Sequence, residues 1–157
     1  MKLISLLEKL EYTCLQGSTD QEVKNVIYDS RKVEEGSLFI CIRGAVVDGH
    51  KFVPDVVAKG AKVLIVEEAV EAPEDVTVIL VKDTRYAMAF ISAAYFGYPA
   101  EKLKTIGITG TKGKTTTTYM VKSILENAGY KVGLIGTIEA IIGDKVIPAK
   151  NTTPESY

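Results

Sequence analysis

The sequence predicts an α/β protein in two parts, and three features carry that expectation. Short apolar runs rich in branched residues recur at Val26 to Tyr28, Leu38 to Ile42, Val63 to Val66 and Val76 to Val81, each bounded by Gly, Pro, Asp or Glu, as buried strands are. Segments of helical spacing alternate with them. A glycine turn, Gly110-Thr111-Lys112-Gly113-Lys114-Thr115, then stands between a strand-like and a helix-like segment.

Taken in order, Met1 to Tyr12 is apolar only in short pieces interrupted by Glu8, Lys9 and Glu11, which predicts a short amphipathic helix rather than a signal peptide or membrane span. Phe52, Val53, Val56 and Val57 fall at helical spacing, and Gly60 stands where a helix takes a left-handed terminal residue. In Asp83 to Phe96 the apolar residues cover more than one face, with Asp83 or Thr84 as N-cap and Gly97 as stop, so this helix should be largely buried. Gly97-Tyr98-Pro99-Ala100 breaks the pattern and sets the expected junction between a domain of residues 1–98 and a second of residues 99–157. The second part reads as a parallel βαβ crossover: strand Thr105 to Thr109, turn Gly110 to Gly113, helix Lys114 to Ala128, strand Lys131 to Ile135. Val121, Ile124, Leu125 and Ala128 give the helix its apolar stripe, and Gly129 ends it. A doubly wound sheet uses about five or six strands. Two are supplied before Tyr157, so this part is expected to be the truncated start of a parallel-sheet domain.

Composition narrows the function. Of 157 residues, 46% are hydrophobic and 25% charged, enough apolar material for a core, and the formal net charge of -1 comes without any sustained basic face. Nucleic acid and membrane surfaces are therefore disfavoured as partners, and a small molecule is expected. Cys14 and Cys41 lack metal-ligand spacing and, with no secretion signal, read as buried thiols of a cytoplasmic protein.

The glycine turn carries the chemistry. Gly110 and Gly113 allow the backbone to approach phosphates, whose oxygens the successive N–H groups of the turn, those of Thr111 and Lys112 among them, and the helix N-terminus can meet. The Lys114 ammonium suits the β- and γ-phosphates, and is the catalytic candidate; the Thr115 hydroxyl suits Mg²⁺. The full Walker A spacing asks for glycine at position 108, where Ile108 stands, so only the shorter G-x-x-G-K-T core is met. The alternative is a polar turn that binds nothing; the flanking strand and helix favour nucleotide binding. No N-K-x-D element for guanine occurs. Gly143-Asp144 reads as a hairpin turn and receives no catalytic role, and His50, the single histidine, reads as structural or surface.

The run Ile106 to Thr117 resembles the ATP loop of the Mur ligases, whose version also lacks the first Walker glycine. Asp29-Ser30-Arg31, Gly36, Leu38-Phe39, Gly44, Asp48-Gly49-His50 and Gly60-Ala61 resemble the UDP-binding N-terminal domain of the MurE and MurF types. Asn151-Thr152-Thr153-Pro154-Glu155-Ser156 resembles the MurE element that meets the muramyl substrate. Singly, three of these read equally as a strand-end turn, a tight turn and a helix N-cap. Their joint order favours the MurE type.

That resemblance implies a UDP-binding N-terminal α/β domain and a P-loop ATPase domain. It implies an amide ligase that adds a diamino acid, lysine or meso-diaminopimelate, to UDP-N-acetylmuramoyl-L-Ala-D-Glu through an acyl phosphate, with ATP and Mg²⁺, in peptidoglycan synthesis. Tyr28, Ser30, Ala45, Val46 and Val47 would then meet the uridine nucleotide, Asn151, Thr152 and Thr153 the muramyl peptide, and Gly110 to Thr116 the ATP. Lys112 departs from the asparagine usual in the family, leaving its side chain either near the phosphates or solvated. The resemblance implies a monomeric full-length enzyme and places a carbamylated lysine and an amino-acid-selecting domain beyond Tyr157, so the chain alone is expected to bind without turnover. The alternatives are a MurF-type ligase adding D-alanyl-D-alanine and a noncatalytic UDP-sugar or nucleotide-binding module.

Overall fold

In the computed structural model the described residues are 1–44, 47–149 and 157. The chain divides into two compact units, one formed by Met1–Leu103 and the other beginning at Lys104. The division falls after the 3-10 turn Pro99–Lys102, whereas the expected junction lay before it.

In the first unit α1 (Leu3–Leu6) and β1 (Thr13–Gln16) precede β2 (Asn25–Ile27), β3 (Ser37–Ile40), α2 (Val53–Ala58), β4 (Val63–Val66), β5 (Thr77–Leu80) and α3 (Thr84–Tyr95). The sheet order is β1-β5-β4-β3-β2; β2 to β5 run parallel and β1 joins β5 antiparallel. Both faces of the parallel strands are covered, so successive residues enter opposite cores. Leu38, Ile40, Val63, Ile65 and Ile79 pack with α1 and α3 through Leu3, Leu6, Met88 and Ile91. Phe39, Cys41, Leu64, Val66 and Val78 pack with α2 through Val53 and Val56. This two-sided burial is why the strands read as unbroken apolar runs.

Asp83 caps α3, its carboxylate accepting from the Tyr86 N–H. The expected helix stops also hold. Gly60 and Gly97 have φ of 98° and 71°, and in both cases the following residue returns an N–H to the last turn, Ala61 to Val56 O and Tyr98 to Ala93 O.

Two expectations for this unit are corrected. The N-terminal helix spans only Leu3–Leu6, because Lys2 bridges Glu22 and Val23 N–H bonds to Met1 O, holding the first residues extended. Cys14 is exposed on the edge strand β1 rather than buried; Cys41 is buried, and burial pushes its thiol up to about 12.

The second unit contains α4 (Lys114–Asn127) and a three-stranded antiparallel sheet of β6 (Gly133–Ile135), β7 (Glu139–Ile142) and β8 (Lys145–Pro148). The strand expected at Thr105 to Thr109 is not formed. Its intended parallel neighbour, β6, spends its ladder on β7 instead, and Ile106 is 63% exposed. The α4 stripe is half-buried at Val121 and Leu125 and exposed at Ile124 and Ala128. Gly143-Asp144 makes the turn between the paired Ile142 and Lys145, as its composition suggests. Among the described residues no helix is long and apolar enough to cross a membrane.

Gly60 and Gly97 offer a controlled comparison. Both are left-handed, but a Cβ on Gly60 would lie 2.8 Å from Glu35 Cα, whereas one on Gly97 meets nothing within 4 Å. Gly97→Ala should cost roughly 1–2 kcal/mol, the left-handed penalty alone. Gly60→Ala should cost clearly more; urea unfolding followed by circular dichroism gives the difference, and equal losses would contradict the packing.

Candidate nucleotide sites

The phosphate loop is built by backbone conformations that side-chain-bearing residues avoid. Gly110 has φ 151° and Gly113, which caps α4, has φ 76°, yet a Cβ on Gly113 would meet nothing within 4 Å, so glycine serves conformation there rather than space. From this turn α4 runs for fourteen residues, presenting first-turn amides that have no intrahelical acceptor. The Lys114 ammonium donates to Gly110 O at 2.7 Å and so lies over the loop. Thr117 and Thr118 hydroxyls bond back to Gly113 O and Lys114 O at 2.9 and 2.7 Å, occupying their donors within the helix. Thr115 is half-buried without such a role among these bonds, and with Lys114 it lines a cavity of about 180 Å³. Thr111, Lys112 and Thr116 are exposed. An anion-facing loop, an ammonium and a hydroxyl at the helix start fit a magnesium-bound triphosphate.

The same cavity is lined by Tyr119 and Glu139, which the sequence reading did not single out. The Tyr119 hydroxyl donates to the Glu139 carboxylate, an acceptor that raises the phenol above its ordinary value. Tyr119 had a local signal, standing four residues after Thr115 on one helix face. Glu139 had none, because β7 brings it there.

Among the described residues of the first unit, the uridine candidates Tyr28 and Ser30 follow the carboxyl end of β2 and Val47 follows that of β3; carboxyl ends are the edge where open α/β sheets take ligands. Tyr28 follows β2 and is exposed; Ser30 opens the 3-10 turn Ser30–Lys32, its carbonyl accepting from Lys59 Nζ at 2.8 Å. Asp29 caps that turn and pairs with Arg31 through both carboxylate oxygens, and these hydrogen bonds hold its carboxyl down at about 2. Val47, beyond β3, is 49% exposed. Ala45, Val46, Asn151, Thr152 and Thr153 lie outside the described residues.

His50 is buried and structural, its Nδ1 2.6 Å from Asp48 Oδ1 and its Nε2 accepting from Glu67 N–H at 3.0 Å. Asp48, His50 and Glu68 could converge on a cation, their ligand atoms lying within 4.8 Å of one another. The Arg43 guanidinium already answers both carboxylates, Asp48 at 3.2 Å and Glu68. The cluster is an ion-pair network. The His50 N–H and ring hold the Asp48 carboxyl down at about 2, against an ordinary 3.8. A depressed carboxyl stabilises the fold in full above its ordinary value and loses that contribution as pH falls through about 2. Asp48→Asn should therefore flatten the acid limb of a stability-against-pH curve between about pH 4 and 2; an unchanged limb would contradict the bond set.

A family model described as the Mur ligase family catalytic domain matches residues 22–96, and one described as the Mur ligase middle domain matches residues 108–157. The UDP-N-acetylmuramoyl-L-alanyl-D-glutamate–2,6-diaminopimelate ligase of Clostridium perfringens is 54% identical over all of this chain, which covers 32% of that protein. Among solved structures, the UDP-N-acetylmuramoylalanyl-D-glutamyl-2,6-diaminopimelate–D-alanyl-D-alanyl ligase of Acinetobacter baumannii is 35% identical with a TM-score of 0.62, over 80% of this chain and 28% of that one. MurF of Thermotoga maritima, solved with ADP, is 26% identical with a TM-score of 0.52, over 73% of this chain and 25% of that one. The chain thus spans about a third of the length of the curated relatives it matches. With both domain models in order along its length, this chain belongs to the Mur ligase family.

Proposed function

We propose that the chain supplies the uridine-nucleotide and ATP sites of a cytoplasmic ligase that joins 2,6-diaminopimelate to UDP-N-acetylmuramoyl-L-alanyl-D-glutamate. The observation carrying this reading is 54% identity, across all 157 residues, to a ligase named for that reaction. In the reaction a carboxylate of the substrate attacks the γ-phosphorus of ATP, ADP leaves, and the diamino acid's amine displaces phosphate from the acyl phosphate. The loop amides and the Lys114 ammonium stabilise charge on the transferred phosphoryl group, the main route to faster phosphoryl transfer. Mg²⁺, held by the Thr115 hydroxyl, would neutralise charge on the β- and γ-phosphates when bound. Tyr28, Ser30, Ala45, Val46 and Val47 meet the uridine nucleotide, and Asn151, Thr152 and Thr153 take the muramyl peptide.

A second reading, a ligase adding D-alanyl-D-alanine, draws on the 35% identity to the Acinetobacter structure. The two differ in the muramyl peptide they accept. Binding of the muramyl dipeptide nucleotide in preference to the tripeptide nucleotide favours the first, and the reverse preference favours the second.

The phosphate assignment is tested by titration calorimetry. Lys114→Ala should weaken ATP·Mg²⁺ by about tenfold or more, one lost charge-assisted contact, and leave uridine-nucleotide affinity unchanged. Thr115→Val should remove the Mg²⁺ dependence of ATP binding. Wild-type ATP affinity in Lys114→Ala, with the fold intact, would overturn the site.

A further inference from the structure

We propose that Tyr119 is a positioning residue for the phosphate loop, its bond to Glu139 holding α4 in the orientation that presents Lys114 and Thr115 to the triphosphate. The inference deepens the ATP reading given above and rests on it. α4 starts directly from Gly113, so any tilt of the helix carries Lys114 and Thr115 with it. Little else holds that helix. None of its residues is buried, and the side-chain bonds of Thr117, Thr118, Lys122 and Asn127 stay within the helix or return to Gly113. Among the described residues, the one hydrogen bond from α4 to the sheet of this unit is that of the Tyr119 hydroxyl, which donates to Glu139 Oε1.

The acceptor is a fixed point. Glu139 opens β7, the central strand of the sheet, where it stands opposite Pro148 of β8, and its carbonyl accepts the Gly136 N–H at 3.0 Å across the turn from β6. Its backbone is thus tied on both sides. The donor is placed by helix geometry, because Tyr119 follows Thr115 by four residues and stands one turn beyond it on the same face. Both members of the pair are half-buried, and both line the cavity that Lys114 and Thr115 line. The bond therefore ties the face of α4 that carries Thr115 to the middle of the sheet, one turn from the loop. A carboxylate acceptor makes it stronger than a bond between neutral groups. Tyr119 touches no ligand; it acts through the start of the helix.

The test is titration of the intact chain with ATP·Mg²⁺, using Tyr119→Phe, Glu139→Ala, Glu139→Gln and the Tyr119→Phe/Glu139→Ala double variant, each first checked for its fold by circular dichroism. Tyr119→Phe and Glu139→Ala should each weaken ATP by about fivefold, and the double variant should lose no more than either alone. Glu139→Gln, whose amide oxygen still accepts the phenol proton, should recover most of the loss. A bond that serves stability alone would lower the melting temperature and leave ATP affinity within about twofold of the parent, which would overturn the proposal. Losses that multiply in the double variant, or losses in both Glu139 variants with Tyr119→Phe at parent affinity, would overturn it too. A folded parent chain whose ATP affinity is indifferent to Lys114→Ala would remove the phosphate reading, and this inference with it. If Glu139→Ala does not fold, Tyr119→Phe and Glu139→Gln decide by the same comparison.

Discussion

Burial of β2 to β5 on both faces is the constraint from which the first unit follows. Each strand must alternate its side chains between two cores, Leu38 and Ile40 to one and Phe39 and Cys41 to the other, so helices are required above and below. Parallel strands covered in this way leave their carboxyl-end loops as the surface free to vary. Tyr28 and Ser30 follow the carboxyl end of β2, and Val47 and the Asp48–His50–Glu67 bonds come after β3 and β4. The polar network does not build the core; it uses the strand ends that the core has already fixed.

The second unit meets a different recognition problem with less burial. α4 has no buried residue, and its first turn, where unpaired amides, Lys114 and Thr115 meet, is the proposed phosphate site. Anion binding there needs the glycine backbone and the helix start more than it needs a deep pocket. On the proposed function, the two units separate uridine recognition from phosphate chemistry.

The legible parts of the fold were those whose physics is local. β2 to β5 were readable because two-sided burial writes itself as continuous Val, Ile and Leu, and the helix stops because Gly60, Gly97 and Gly129 alone tolerate the closing conformation. β1 was not readable: Thr13, Cys14 and Leu15 are exposed and pair only because β5 offers an edge far along the chain. Thr105 to Thr109 misled for the converse reason, a strand-like composition whose intended partner pairs elsewhere. At the site, the G-x-x-G-K-T spacing was enough to read the glycine turn and the helix that starts from it. The Tyr119–Glu139 pair and the role of a lone His50 depended on contacts that no local pattern encodes.

The central claim is that one chain carries two nucleotide sites, one on each unit. Heteronuclear NMR of the labelled chain tests it directly, with UDP-N-acetylmuramoyl-L-alanyl-D-glutamate and ATP·Mg²⁺ added in turn. The account predicts that the uridine ligand shifts the amides of Tyr28, Ser30 and Val47, and that ATP shifts those of Gly110 to Thr116. Uridine-induced shifts confined to the amino ends of β2 to β5, or both ligands mapping to the same unit, would contradict it.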